Sequence, residues 1–237
     1  MPNTKITKAR LINHWAYSKN LYIFGTIAVI ALAALLFTMT RHTPDNAHSV
    51  EIALVDNFAD VTLLDEYKQK LLDSLLKLNP DAEQVSFMNI AYNAENPNSD
   101  SYYGAQTYTV QLQAGSNDIY MMPVSMAEEL IQAGYCVPLE RLDYYETFRA
   151  RHPEALFIAY DEPSENAQQD ETDEEAETAP AVQHYYAVDV SPLSSLIDKN
   201  IFNVNGKYAV IVVSSKNPND ALYTLCDMFD MFTPEKE

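Results

Sequence analysis

The hydrophobic pattern changes character near residue 40. From Leu21 to Thr40 the chain reads LYIFGTIAVIALAALLFTMT, an apolar stretch without one charge. A helix over those residues is about 30 Å long, the hydrocarbon thickness of a bilayer. The stretch predicts a transmembrane helix. Beyond it, residues 41–49 form a short polar linker. From residue 50 the apolar positions fall into short runs and helical stripes. Val50–Val55 (VEIALV) reads as a strand. Asp60–Asn79 places Val61, Leu64, Tyr67, Leu71, Leu72, Leu75 and Leu78 at a period of about 3.6, a helix stopped by Asn79-Pro80. Thr62 with Asp65 gives it a capping-box pattern. Val85–Ile90 and Ile119–Met122 read as strands, and a weaker helix covers Ala105–Ala114. Ser125 and Glu128 form a second capping box, opening a helix that ends at Gly134.

These strands begin at residues 50, 85 and 119. That interval suits a βαβ unit, which needs roughly 30 residues or more. Alternating strands and helices predict an α/β fold, a mostly parallel sheet with helices on both faces. The rest is less regular. Arg141–Arg151 and Pro192–Lys199 suggest helices, and Ala155–Tyr160 and His184–Val190 suggest strands. Tyr208–Val213 (YAVIVV) is continuously apolar, as for a strand buried on both faces. Asn217-Pro218 then supplies an N-cap and an N1 proline for a final helix burying Leu222, Leu225, Cys226 and Phe229.

Charge sharpens this division. The chain has 237 residues with a net charge of −19, yet residues 1–40 hold Lys5, Lys8, Arg10 and Lys19 and no acid. The positive-inside rule then expects a cell-membrane protein with a cytoplasmic N-terminus, residues 1–20, and a signal anchor over 21–40. Residues 50–237 become one extracytoplasmic domain. Trp15, Tyr17 and Tyr22 suit an interfacial aromatic belt. The apolar stretch is longer than a cleaved signal peptide's and lacks an Ala-x-Ala site after it. Residues 161–181 hold nine acids, no base and no apolar pattern, so a disordered loop is expected there. The acidic balance argues against nucleic acid.

Chemistry-bearing motifs are few. The five glycines are too dispersed for a phosphate-cradling loop. The five histidines lack metal-ligand spacing, and neither a Gly-x-Ser-x-Gly elbow nor a Cys/His catalytic signature occurs. We therefore expect no enzyme, no cofactor, no catalytic residue and no metal site. Ligands of open α/β sheets bind beyond the carboxyl ends of the strands. That rule selects Asp56, Asn57, Tyr92 and Ser125 as candidate ligand-binding residues. Helix starts near Asp60 and Ser125 could offer amides to an anion. An oxidising compartment would permit a Cys136–Cys226 disulfide; the alternative is two buried free thiols.

The segment AGSNDIYMMPVSMAEELIQAGYCVPLE, residues 114–140, resembles extracellular solute-binding proteins of the type 2 periplasmic-binding fold. In that family a helix ends in a small-Gly turn and Asp, and a short strand then enters the middle of the sheet. A capped helix follows, ending in Gly, with Pro-Leu beyond it. Gly115, Asp118, Ile119–Met122, Gly134, Pro138 and Leu139 match this pattern. VIVVSSKNPNDALYTLCDMF, residues 210–229, resembles the family's late strand, Ser-Lys-Asn-Pro turn and terminal helix. The transmembrane anchor and an exported length short for the family's two lobes depart from that pattern, so the chain looks like a truncated, single-lobe, membrane-anchored relative. It implies a non-enzymatic domain that binds a small solute or a protein partner at the cell surface. The alternative is a ligand-free assembly module of a cell-envelope or transport complex.

Overall fold

The computed structural model describes residues 7–40, 46–97, 101–161 and 183–234. The chain divides into two compact units, residues 1–43 and 44–237. In the first, helix α1 (Lys8–Thr40) contains the stretch His14–Thr40, which is long and apolar enough to cross a membrane. None of the best apolar window is buried against protein.

The second unit is α/β. Strands β1 (Ser49–Val55), β2 (Gln84–Ile90), β3 (Ile119–Pro123), β4 (Phe157–Asp161), β5 (Gln183–Asp189) and β6 (Lys207–Ile211) form one sheet. Its order is β2-β1-β3-β6-β5-β4. β1 pairs in parallel with β2 and β3, while β3–β6, β6–β5 and β5–β4 are antiparallel. The sheet is therefore mixed rather than mostly parallel. The expected parallel arrangement holds for β2, β1 and β3. The late apolar strand does enter the sheet, but it runs against β3.

The helices are α2 (Asp65–Leu75), α3 (Ser101–Ala114), α4 (Val124–Gln132), α5 (Tyr145–Arg151), α6 (Ser195–Asp198) and α7 (Pro218–Phe232). Alternation along β1 sorts the core into two clusters. Val50, Ile52 and Leu54 join Leu71 and Leu75 of α2 and Leu222, Leu225 and Phe229 of α7. Ala53 and Val55 join Met126, Leu130 and Ile131 of α4, with Tyr108 and Leu112 of α3 packed alongside. Cys226 belongs to the first cluster and Cys136 to the second. Both are buried free thiols, so the proposed disulfide is not formed. Burial pushes both up to about 12.

Local endings differ from the simple capping pattern in three places. Asp60, not Thr62, caps the turn before α2, its Oδ1 accepting from Thr62 N at 3.1 Å. Ser125 lies inside α4 and makes no cap; Pro123 precedes the helix. Asn217 likewise makes no side-chain cap, but its Nδ2 donates to Ala47 O, tying α7 to the entry of β1. At the end of α4, Tyr135 N donates to Leu130 O and Gly134 N to Ile131 O, both at 3.0 Å. That Schellman pattern needs the left-handed φ of 75° that Gly134 supplies. The linker's residues 41–45 and the acidic segment beyond Asp161 lie outside the described residues.

Candidate functional site

β1, β2 and β3 point their carboxyl ends the same way, and β6 begins where they end. A cavity of about 510 Å3 opens there. Asp56 and Asn57, which follow β1, line one side. Asn93, Glu95 and Asn96, which follow β2, line another. Pro123 closes β3, and Lys207 opens β6 directly after Gly206; all three line the cavity. The segment from Ile197 to Asn205 completes the wall. It is pinned by Asp60 N donating to Ile201 O at 2.8 Å and by an isolated bridge between Ala59 and Phe202.

An ion pair lies at the base. Lys207 Nζ is 2.8 Å from Asp56 Oδ2, and both residues are buried, Lys207 to 4% exposure. The ammonium also stands 5.3 Å from the centroid of the Phe202 ring, within cation–π range. Asp56 Oδ1 accepts from the Asn57 amide and from Asn93 Nδ2, each at 2.8 Å. Burial alone would raise the Asp56 carboxyl. The hydrogen bonds from Lys207, Asn93 and the Asn57 amide outweigh it and hold the group below the usual carboxylate range.

The Asn93–Asn96 loop is laced to this floor. Asn93 Oδ1 accepts from Glu95 N at 2.9 Å and Asn96 N at 3.1 Å. Asn57 Nδ2 donates to Asn96 O at 2.7 Å. The other end of that carboxamide, Asn57 Oδ1, is buried and accepts no hydrogen bond. Phe58 stands half exposed at the cavity's edge.

No family model, curated protein or solved structure matches this chain.

Of the four residues selected from the sequence, the structure brings two into the cavity, Asp56 and Asn57. Ser125 acts beside it, its Oγ donating to Glu95 Oε1 at 2.6 Å. Tyr92 is not in the lining. Its ring packs against Tyr108, with centroids 5.8 Å apart, beside the second core cluster. Lys207 was the residue missed. Had β6 run parallel to β3, its first residue would lie at the far end of the sheet. The antiparallel register instead sets Lys207 opposite Pro123. The available signal was a lysine between the Asn205-Gly206 turn and an apolar run.

Asp118, a residue of the solute-binding resemblance, has a structural role. It precedes β3, at the end of the sheet away from the cavity. Its Oδ2 accepts from Glu51 N at 2.8 Å and its Oδ1 from Ser215 Oγ at 2.7 Å. It thereby joins β1 to the segment after β6. Burial raises its carboxyl above the usual range despite those bonds. Among the described residues, no group of three or more His, Cys, Asp or Glu is arranged to hold a metal ion.

Proposed function

We propose that this chain is a single-pass membrane protein whose α/β unit lies outside the cell and binds a small, uncharged polar solute without transforming it. The observation that carries the binding reading is the cavity at the ends of β1, β2 and β3. Its volume of about 510 Å3 is that of a small-molecule site. Its one buried cation is already matched by Asp56, so an anionic ligand must compete with an internal carboxylate. The surrounding asparagines donate and accept equally. Asn57 Oδ1 lacks a donor in the folded chain, and a small turn of its side chain toward the cavity would let a ligand N–H or O–H supply one. Phe58 and Ile197 offer apolar surface for a carbon skeleton. These are groups for holding a molecule, not a nucleophile paired with a base.

The membrane reading rests on α1, with four basic residues before the apolar span and none of its best window buried. That charge placement favours a cytoplasmic N-terminus. Three features favour a single solute-binding-type lobe with helices on both faces. A short strand, β3, lies inside the sheet; α4 ends at Gly134; and the two core clusters engage different helices. A second reading, docking onto an envelope or transporter protein, is favoured by α3. That helix carries no charge and exposes Tyr102, Tyr103 and Val110.

The test uses the full-length chain in detergent and a thermal-shift panel of N-acetylglucosamine, maltose, blocked dipeptides, citrate and inorganic phosphate. A ligand at a hundred times its Kd adds about 2.7 kcal/mol of stability. For a domain of this size that raises Tm by roughly 5–10 °C. Shifts confined to uncharged compounds support the proposal. Shifts confined to citrate or phosphate, or no shift at all, oppose it, and the latter favours the docking module.

A further inference from the structure

The turn that delivers Lys207 to the cavity contains Asn205-Gly206, the one Asn-Gly pair in the sequence. Both residues are exposed and both line the cavity. Gly206 has a φ of 65°, and the space where a Cβ would project holds no atom within 4 Å. Only a residue without a side chain adopts that conformation freely. The same absence leaves the Gly206 nitrogen sterically open to the preceding carboxamide.

We propose that Asn205 is a site of spontaneous deamidation, which changes the charge of the cavity as the protein ages. The Gly206 backbone nitrogen loses its proton to hydroxide or a buffer base and attacks Asn205 Cγ. A bond forms between that nitrogen and Cγ, the Cγ–Nδ2 bond breaks, and Nδ2 leaves as ammonia after taking a proton from water. Water then opens the cyclic imide at either carbonyl, giving aspartate or isoaspartate at position 205. One water enters and one ammonia leaves, with no change of oxidation state.

Two nearby asparagines serve as contrasts. Asn203 is followed by buried Val204, and Asn200 by buried Ile201, both β-branched. Their side chains crowd the attacking nitrogen, so the same reaction is disfavoured there. Conversion at Asn205 puts a third carboxylate into a cavity that already holds Asp56 and Glu95 against one lysine. Aged copies then disfavour anionic groups more strongly and favour cationic ones. The modification stands whether or not the cavity holds a solute.

The experiment ages the full-length chain in detergent at mildly alkaline pH and digests it with trypsin. Cleavage after Lys199 and Lys207 releases Asn200–Lys207, which contains all three asparagines. Fragment spectra then locate any mass gain from exchange of NH2 for OH, and isoaspartyl methyltransferase labelling detects the isomer. The expected result is conversion at Asn205, with Asn200 and Asn203 unchanged, lost in Gly206→Ala and in Asn205→Gln. The glutamine variant keeps the carboxamide and the native turn glycine, so it serves where Gly206→Ala is strained. Equal conversion at Asn203 overturns the proposal. So does a native chain unchanged at Asn205, whether or not the urea-unfolded chain converts.

Discussion

Lys207 and Asp56 meet across the sheet, Nζ to Oδ2 at 2.8 Å, because one strand begins where another has ended. Asp56 follows the carboxyl end of β1, and Lys207 opens β6. The antiparallel β3–β6 pairing brings them to the same edge. A charge buried this deeply is tolerated only with a partner. The pair therefore contributes to both the fold and the proposed site.

Removing one partner should cost more than removing both. Lys207→Met leaves Asp56 buried with an uncompensated charge and should destabilise the chain by about 3–5 kcal/mol. Combining it with Asp56→Asn should recover part of that loss, a non-additivity expected of contacting residues. Denaturant unfolding of the full-length variants in detergent measures both. Additive losses would show that the pair does not couple.

The lowered Asp56 carboxyl fixes the sign of a pH effect. Its folded value lies below the unfolded one, about 3.9 for aspartate. The stabilisation is thus present above about pH 4 and lost as pH falls through the folded value. The stability gap between wild type and Asp56→Asn should narrow as the medium is acidified below about pH 4. A gap that widens on acidification would contradict the assigned direction.

Gly104 should not tolerate alanine. A Cβ there would overlap the Ala91 carbonyl oxygen, where α3 crosses the chain leaving β2. Alanine has the better helix propensity by about 1 kcal/mol. Backbone overlap should outweigh that and leave a net loss of roughly 1–3 kcal/mol. A raised Tm for Gly104→Ala would show that this crossing is looser than described.

Cys136 and Cys226 should behave as inert thiols. Both are buried, and burial pushes each up to about 12, so the reactive thiolate is scarce at neutral pH. A thiol reagent such as DTNB should titrate neither in the native chain and both after unfolding. Mobility should be the same with and without reductant. A single oxidised species that unfolds differently on reduction would contradict the two-cluster arrangement.

Charge placed in the middle of α1 should weaken membrane retention. Ile30→Lys and Ala34→Lys each add about 3 kcal/mol to insertion. Alkaline carbonate should extract the double variant from membranes and leave wild type behind. Extraction of wild type would refute the anchor.

The parallel half of the sheet was legible because its signals are local. The apolar runs starting near residues 50, 85 and 119 emerge as β1, β2 and β3, beginning at Ser49, Gln84 and Ile119. Asp56 and Asn57 followed from the strand-end rule, since they need only the end of β1 and its parallel neighbours. The direction of β6 is set by long-range pairing with β3, to which an apolar run is blind, so Lys207 escaped notice. Tyr92 was misplaced for a related reason. Its position after β2 suits the rule, but its ring has a better apolar partner in Tyr108. Ser125 looked like a cap because its spacing to Glu128 fits the pattern, whereas α4 begins just after Pro123, which leaves the Ser125 hydroxyl to Glu95.

Equilibrium titration of wild type and Asn57→Ala with the same uncharged solute tests the binding claim most directly. Asn57→Ala removes the Nδ2 hydrogen bond to Asn96 O along with the ligand contact, so a modest fall in Tm is expected and affinity is compared at a temperature where both proteins are fully folded. The account predicts saturable binding of an N-acetylglucosamine-, maltose- or dipeptide-type compound to wild type, weakened about tenfold or more in Asn57→Ala, as loss of a buried hydrogen bond of about 1.4 kcal/mol requires. Equal affinity in both proteins, or no saturable binding to wild type by any of the three, would contradict it.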